Sequence, residues 1–331
     1  MTESLIFIVF IVFIALIFDF TNGMHDAANS IATIVSTRVL TPRQAVIWAA
    51  FFNFIAFLIF GTAVAKTIGA GLIDIHVVDP MVIFCALIGA ITWNLLTWWW
   101  GLPSSSSHAL IGGYLGAAVA KAGFGVIIPH GWILTLSFIV AAPVIGLVLA
   151  MLFMLATIWI VHKQPLNKIN FWSKKMQLVS AALYSLGHGG NDAQKTMGIM
   201  ASLLFSAGLL KSFHIPLWVV LSAHAAIALG TLSGGWRIVK TMGQKITKLR
   251  PIDGFCAETA SAFSIFFATY LGIPVSTTHV ITGAISGVGA VWNVSAVKWQ
   301  VTFRIVWAWL LTIPAAALCA ALVHWVMRLI F

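Results

Sequence analysis

The sequence has few charged residues and few cysteines. Only 8% of its 331 residues are Asp, Glu, Lys or Arg, whereas 61% are apolar and the mean hydropathy is +1.03. A water-soluble protein of this size needs a polar surface that this composition does not supply. The three cysteines, Cys85, Cys256 and Cys319, lie in apolar stretches without the spacing of a metal site or a disulfide framework. The composition therefore excludes a soluble protein and gives no sign of cysteine-based chemistry.

The apolar residues form long continuous segments. Strict alternation of apolar and polar residues, which is typical of membrane β-strands, is absent. Because lipid offers the backbone no hydrogen-bond partner, such segments cross a membrane as helices. The net charge of +10 does not indicate nucleic-acid binding, since most Lys and Arg residues fall in a few short loops. We therefore predict an all-α integral membrane protein surrounded by lipid, with no nucleic-acid partner.

Two short motifs in the chain repeat each other. Pro103-Ser-Ser-Ser-Ser-His108 recurs as Pro274-Val-Ser-Thr-Thr-His279, and glycines follow both motifs at the same spacing. An aspartate precedes each proline: Asp26 lies 77 residues before the first and Asp192 lies 82 residues before the second. The same order of segments accompanies both motifs, which indicates an internal duplication.

The duplication predicts the organisation of the chain. Residues 1–161 form the first repeat, residues 176–331 form the second, and residues 162–175 form a basic cytoplasmic linker. Each repeat contains a span broken at its aspartate motif, a plain span, a hairpin around the Pro-hydroxyl-His tip and a long span. If the tips turn back inside the membrane, each half crosses it three times, the repeats are inverted, and both termini lie outside. If each tip instead joined two full crossings, every loop would lie on the same side of the membrane as it does with a hairpin.

The two tips are predicted to bind an anion. In an inverted repeat they enter from opposite sides and meet near the middle of the membrane. Each presents a helix N-terminus, where free N–H groups and the helix dipole favour negative charge. A Ser-rich turn can also serve only as a helix cap, but its repetition in register favours binding. Six hydroxyl groups are available to the anion: those of Ser105, Ser106, Ser107, Ser276, Thr277 and Thr278.

The aspartate motifs are predicted to bind a coupling cation. A carboxylate at membrane depth is costly and by default marks an ion or proton pathway. With Asn29, Asn191 and the carbonyl groups of broken helices, Asp26 and Asp192 supply oxygen ligands for Na⁺. The alternative is a buried ion pair between Asp192 and Lys195, which lies three residues later. Accessory roles are predicted for three residues: His25, Lys195 and Glu258.

Around these residues the sequence resembles a known family. Gly23-Met-His-Asp-Ala-Ala-Asn-Ser30 and Gly189-Gly-Asn-Asp-Ala-Gln-Lys-Thr196, together with the two tips, are similar to the motifs of the inorganic phosphate transporter (PiT) family. The resemblance covers both halves. It implies an inverted-repeat fold and a homodimer that takes up phosphate by cation symport. It also implies that the hairpin tips hold phosphate and that the aspartate-asparagine motifs bind the cation.

The predicted function is therefore secondary active import of inorganic phosphate across the plasma membrane, by alternating access and symport with Na⁺ or H⁺. No enzymatic activity and no other cofactor is expected. His25 stands where many family members have Asn, which leaves H⁺ coupling and transport of a neutral metal–phosphate complex open. The alternatives are a sulfate–cation symporter on the same fold, an anion channel, and a membrane-embedded hydrolase using Ser107 and His108. Adjacent helical residues point about 100° apart, which disfavours the hydrolase.

Overall fold

The protein is all-helical, as predicted. The computed structural model describes residues 5–330, and within them the only strand-like feature is an isolated bridge between Ile73 and Ile127. The twelve α-helices of the described part are α1 (Leu5–Ser36), α2 (Pro42–Ile55), α3 (Ala63–Ala70), α4 (Pro80–Trp100), α5 (Ser106–Ala122), α6 (Pro129–Val161), α7 (Leu166–Ser206), α8 (Leu217–Ser233), α9 (Trp236–Lys240), α10 (Pro251–Tyr270), α11 (Thr277–Trp292) and α12 (Trp299–Ile330).

Several helices have the length and apolarity of membrane spans. Within residues 5–330, α1, α4, α6 and α12 meet both conditions as single helices. Two more spans are bent: residues 42–58 meet α3 at 85°, and α8 meets residues 236–245 at 62°. Large apolar side chains cover the outer surface, including Val140, Phe303 and Trp307, each more than 60% exposed. The protein is therefore a multi-pass membrane protein.

The helices that carry the aspartate motifs are continuous. The prediction that the first span of each half breaks at its motif is wrong, because α1 and α7 run without interruption. The motif glycines serve close packing instead: a Cβ at Gly23 would collide with the backbone of Ile227 in α8, and one at Gly189 with that of Asn53 in α2. The helix carbonyl groups consequently keep their intrahelical hydrogen bonds and are not free as cation ligands.

The breaks lie in the following span of each half, which the sequence analysis treated as plain. In the first half, a short 3₁₀ turn at Ala56–Leu58 and a loop containing Gly61 separate α2 from α3. In the second half, Gly234 and Gly235 separate α8 from α9, and Gly234 has a φ of 70°, which favours glycine. Broken helices are therefore present, but one span later than predicted.

Two helical hairpins each pack against a long helix from the other half. One hairpin consists of α4 and α5, and the other of α10 and α11. Gly112 and Gly116 of α5 lie against the backbone of α12, while Gly283 and Gly287 of α11 lie against the backbone of α6. The glycines that follow each Pro-hydroxyl-His motif thus allow close approach between helices of different halves.

Helices α1 and α7 lie side by side at the centre and run in opposite directions. Thr37, near the end of α1, donates a hydrogen bond to Gln177 in the first part of α7. Asp26, earlier in α1, lies beside His188 and Asp192, later in α7. Since α7 begins at Leu166, residues 166–175 of the predicted linker are helical.

Candidate functional site

The two Pro-hydroxyl-His tips meet inside the protein. The rings of His108 and His279 are in edge-to-face contact, with centroids 4.7 Å apart. All side chains from Ser104 to His108 and from Ser276 to His279 are buried. The sequence-predicted convergence of the tips is therefore present in the structure.

The first predicted hydroxyl of each tip caps the helix that follows. The side chain of Ser105 accepts a hydrogen bond from the backbone N–H of His108, at 3.2 Å, and Ser276 accepts one from that of His279, at 3.3 Å. Both serines have the extended backbone of an N-cap residue. These hydroxyls orient the helix N-termini, and the next two residues of each tip face α1 and α7.

The second hydroxyl of each tip contacts the aspartate of its own half. The Ser106 hydroxyl lies 2.9 Å from Asp26 Oδ2, and the Thr277 hydroxyl lies 3.3 Å from Asp192 Oδ2. A residue four positions before each aspartate joins the contact. Asn22 Oδ1 lies 2.5 Å from Ser106 Oγ, and His188 Nδ1 lies 3.1 Å from Thr277 Oγ1.

The third hydroxyl of each tip contacts the other half. Lys195 of α7 donates a hydrogen bond to Ser107 of the first tip, at 2.5 Å. Asn29 of α1 donates one to Thr278 of the second tip, at 2.8 Å. Because Asn29 and Lys195 hold equivalent positions in the two motifs, the contacts repeat between the halves. Each tip is thus tied to both central helices.

The two aspartates lie close together, but their partners differ. Asp26, His188 and Asp192 each offer a ligand atom within 4.8 Å of the others. Asp26 Oδ1 lies 2.7 Å from Nδ1 of His25, whereas Asp192 forms a fully buried ion pair with Lys195. The predicted alternative, an ion pair between Asp192 and Lys195, is therefore present in the structure. Asp26 and Asp192 are also close enough to share a cation.

The predicted asparagine ligand of the second half has a free oxygen. Asn191 donates from its amide nitrogen to Thr269 Oγ1, at 2.8 Å, and to the carbonyl of Ile273, at 3.3 Å. Its buried Oδ1 has no hydrogen-bond partner among residues 5–330. Buried polar atoms are rarely left unpaired. An oxygen donor at this position fits a hard cation such as Na⁺.

The three accessory residues are separated in the structure. His25 reaches the first tip, with Nε2 at 3.2 Å from Ser104 Oγ and from Thr97 Oγ1. Lys195 lies at the centre and also donates to the carbonyl of Val275 in the second tip, at 2.7 Å. Glu258 lies apart from the tips, in a cluster between α1, α7 and α10 in which it accepts hydrogen bonds from Thr33, Gln177 and Ser180.

Two residues of the site are not among those predicted from the sequence. Asn22 and His188 both contact the second tip hydroxyl of their own half. Their common position, four residues before the aspartate, was a signal that could have identified them. Ser107 receives its contact from Lys195, and no hydrogen bond joins it to the His108 ring within the described chain. This arrangement does not provide a Ser-His nucleophile.

Comparisons with known proteins identify the family of the chain. Residues 22–175 and 164–320 each match the model of the phosphate transporter family. The chain is 62% identical to a probable low-affinity inorganic phosphate transporter of Rhizobium meliloti, over 96% of this chain and 95% of the relative. It is 44% identical to a protein of the same description from Bacillus subtilis, over 99% of both chains.

A solved structure is similar over almost the whole fold. It is described as the sodium-dependent phosphate transporter, with a TM-score of 0.88 and 26% identity, and the match covers 99% of this chain and 100% of that one. Fold and site together define a multi-pass membrane transporter with a duplicated, buried polar centre. The chain belongs to the phosphate transporter family. This confirms the resemblance found in the motifs and the prediction of a transporter rather than an enzyme.

Proposed function

We propose that the protein imports inorganic phosphate across the plasma membrane by symport with Na⁺ or H⁺. The observation that carries the proposal is the repeated contact between a tip hydroxyl and a buried aspartate, Ser106 with Asp26 and Thr277 with Asp192. These contacts support the proposal because they join the proposed anion-binding hydroxyls to the proposed cation-binding carboxylates in the interior of a membrane protein. Binding of one ion at this site therefore affects binding of the other.

The phosphate site is formed by the tips. The N-termini of α5 and α11 supply free N–H groups and the positive ends of two helix dipoles, and the hydroxyls of the second and third tip positions supply further donors. Lys195 adds a positive charge that contacts both tips. A carboxylate beside these donors favours phosphate over sulfate, because hydrogen phosphate donates a proton that sulfate lacks at neutral pH.

The coupling cation is bound by the aspartate motifs. Asp26, Asp192, Asn29 and Asn191 are its proposed ligands, with His25 holding the Asp26 carboxylate in place. Burial of phosphate away from water is costly unless opposite charge accompanies it. Cation and phosphate therefore stabilise the same occupied state, and neither binds as well alone.

Transport by alternating access requires two arrangements of the same parts. We propose that the halves are inverted repeats, that both hairpins are re-entrant and that both termini lie outside. The opposite directions of the equivalent helices α1 and α7 support the inversion, and the deep burial of both tips supports re-entrant hairpins. Assembly as a homodimer and transport of phosphate as a neutral metal–phosphate complex remain predictions.

The test is uptake by the purified protein in liposomes. Labelled phosphate and labelled sulfate are supplied under an imposed Na⁺ gradient and, separately, under an imposed H⁺ gradient. We expect concentrative phosphate uptake under one of these gradients, and its loss in Asp26→Asn and Asp192→Asn. Asp74→Asn, at an exposed loop position, is the matched control and retains uptake.

Three results would contradict the proposal. Gradient-driven uptake at the wild-type rate by both aspartate variants would remove the cation site from the mechanism. Concentrative uptake of sulfate but not phosphate would favour the sulfate alternative. Phosphate flux that only follows its own gradient would indicate a channel.

A further inference from the structure

A basic cavity lies at the base of the second hairpin, away from the tips. Its volume is about 620 Å³. Its wall is formed by residues between 244 and 250, by both ends of the α10–α11 hairpin and by the loop that leads into α12. None of the lining residues belongs to either tip or to an aspartate motif. The residues that define its chemistry are Thr247, Lys248, Arg250, Asp253, Trp292 and Lys298.

The cavity carries an excess of positive charge. Arg250 is held by two hydrogen bonds of 3.1 Å to the Asp253 carboxylate, and it lies over the Trp292 ring at 3.9 Å. Asp253 neutralises Arg250 and fixes its position. Lys248 and Lys298 have no carboxylate within 4.0 Å among the described residues. Two uncompensated positive charges therefore line the cavity, which favours an anionic ligand.

The side chain of Thr247 lies in the cavity wall and lacks a partner within the protein. Thr247 is 5% exposed, and no hydrogen bond joins its hydroxyl to another residue from 5 to 330. Its Oγ1 is not among the fully buried unpaired atoms of the described residues, so the hydroxyl opens to the cavity that it lines. A Cβ on Gly289 would lie only 3.1 Å from this Oγ1, so the bare glycine leaves room beside the hydroxyl. The hydroxyl is therefore available to hydrogen-bond a bound group.

Two long helices begin at the same cavity. Arg250 immediately precedes α10, and Lys298 immediately precedes α12. The first turns of both helices add partial positive charge to that of the lysines. Helix dipoles, unpaired cations and a free hydroxyl thus converge, a combination suited to a phosphate group.

We propose that this cavity binds a phosphate group, from either free inorganic phosphate or the headgroup of an anionic phospholipid. Because its wall joins the second hairpin to α12, and α12 packs against the first hairpin, the bound group braces the two hairpins against each other. The site is separate from the proposed transport site and does not depend on it.

Hydrogen exchange measured by mass spectrometry tests the proposal on the full chain. In detergent, exchange of residues 244–250 is compared in inorganic phosphate and in chloride of equal ionic strength. In nanodiscs without phosphate, phosphatidylcholine alone is compared with a mixture containing phosphatidylglycerol. If hydrogen exchange requires release of the ligand, a ligand at ten times its Kd slows that exchange about tenfold. We expect such slowing in phosphate, in phosphatidylglycerol, or in both, which distinguishes the two sources.

The variants separate this site from the transport site. Lys248→Gln with Lys298→Gln, and separately Thr247→Val, should lose the protection. Lys245→Gln, an exposed lysine of the same segment outside the cavity wall, should keep it. Asp192→Asn should also keep it, even though transport is lost. Absence of protection in both arms, equal protection in the double lysine variant, or loss of protection in Asp192→Asn would overturn the proposal.

Discussion

Lys195 is the residue whose removal tests the central charge arrangement most directly. Its side chain is 1% exposed, and its ammonium group pairs with Asp192 while donating hydrogen bonds to Ser107 and to the carbonyl of Val275. Lys195→Met keeps most of the side-chain volume and removes the charge. Asp192 is then left as a buried carboxylate that contacts His188 and Thr277 and lies close to the Asp26 carboxylate.

The expected loss of stability is large. Removing one partner of a buried ion pair costs about 3–5 kcal/mol, because the remaining charge is uncompensated. Total unfolding free energies are about 5–15 kcal/mol, so the loss is a substantial fraction. At about 2 °C per kcal/mol for a large domain, Tm should fall by at least about 6 °C. Thermal unfolding of the purified protein in detergent measures this shift.

Two further variants make the result interpretable. Asp192→Asn combined with Lys195→Met removes both charges, so it should recover a large part of the Tm but no transport. Lys211→Met removes an exposed lysine and should leave Tm unchanged. A Lys195→Met protein that unfolds at the wild-type temperature would refute the reasoning. A double variant no more stable than Lys195→Met would show that the Asp192 charge is not what destabilises the single variant.

Further predictions concern the tips, the helix contacts and the separate carboxylate cluster. Ser106→Ala and Thr277→Val each remove a hydrogen bond to a charged group, worth about 1.5–3 kcal/mol, so phosphate uptake should fall about 10-fold or more; an unchanged uptake rate would contradict the site. Gly23→Ala should lower Tm because its Cβ has no room beside α8, whereas Gly61→Ala, with nothing within 4 Å, should not; equal Tm values would argue against this packing. Glu258→Leu removes the acceptor that three buried donors share, so the free energy of unfolding in denaturant should fall by about 1–3 kcal/mol or more; a stability equal to wild type would show that the cluster is not structural.

Much of the site could be predicted because the chain is duplicated. A single Ser-rich turn or a single buried aspartate has several meanings, but two of each in register have few. The tips, Asp26, Asp192 and Lys195 were all identified in this way, and the structure brings them together. The family resemblance rested on the same residues.

The course of the backbone at the aspartate motifs could not be predicted from the sequence. A glycine beside polar residues is compatible with a broken helix and with a helix packed closely against a neighbour. Only the tertiary structure distinguishes them, because a Cβ added at position 23 would collide with Ile227, which is 204 positions away in the chain. The crossed contacts of Ser107 and Thr278 with the opposite half were equally inaccessible, since no local pattern specifies which half a hydroxyl faces.

The duplicated scaffold carries an unequal distribution of charge. Asn29 and Lys195 occupy equivalent positions and make equivalent contacts with the opposite tip, but only Lys195 is charged. Asp26 and Asp192 together carry two negative charges, and Lys195 compensates one of them from within the chain. Under the proposed symport, we expect a mobile cation to be needed mainly on the Asp26 side, where the partner is His25, a residue that gains its own charge only with a proton. We therefore expect the asymmetry between Asn29 and Lys195 to reduce the number of cations that accompany phosphate, and we expect substitutions at Asp26 and His25 to alter the choice between Na⁺ and H⁺.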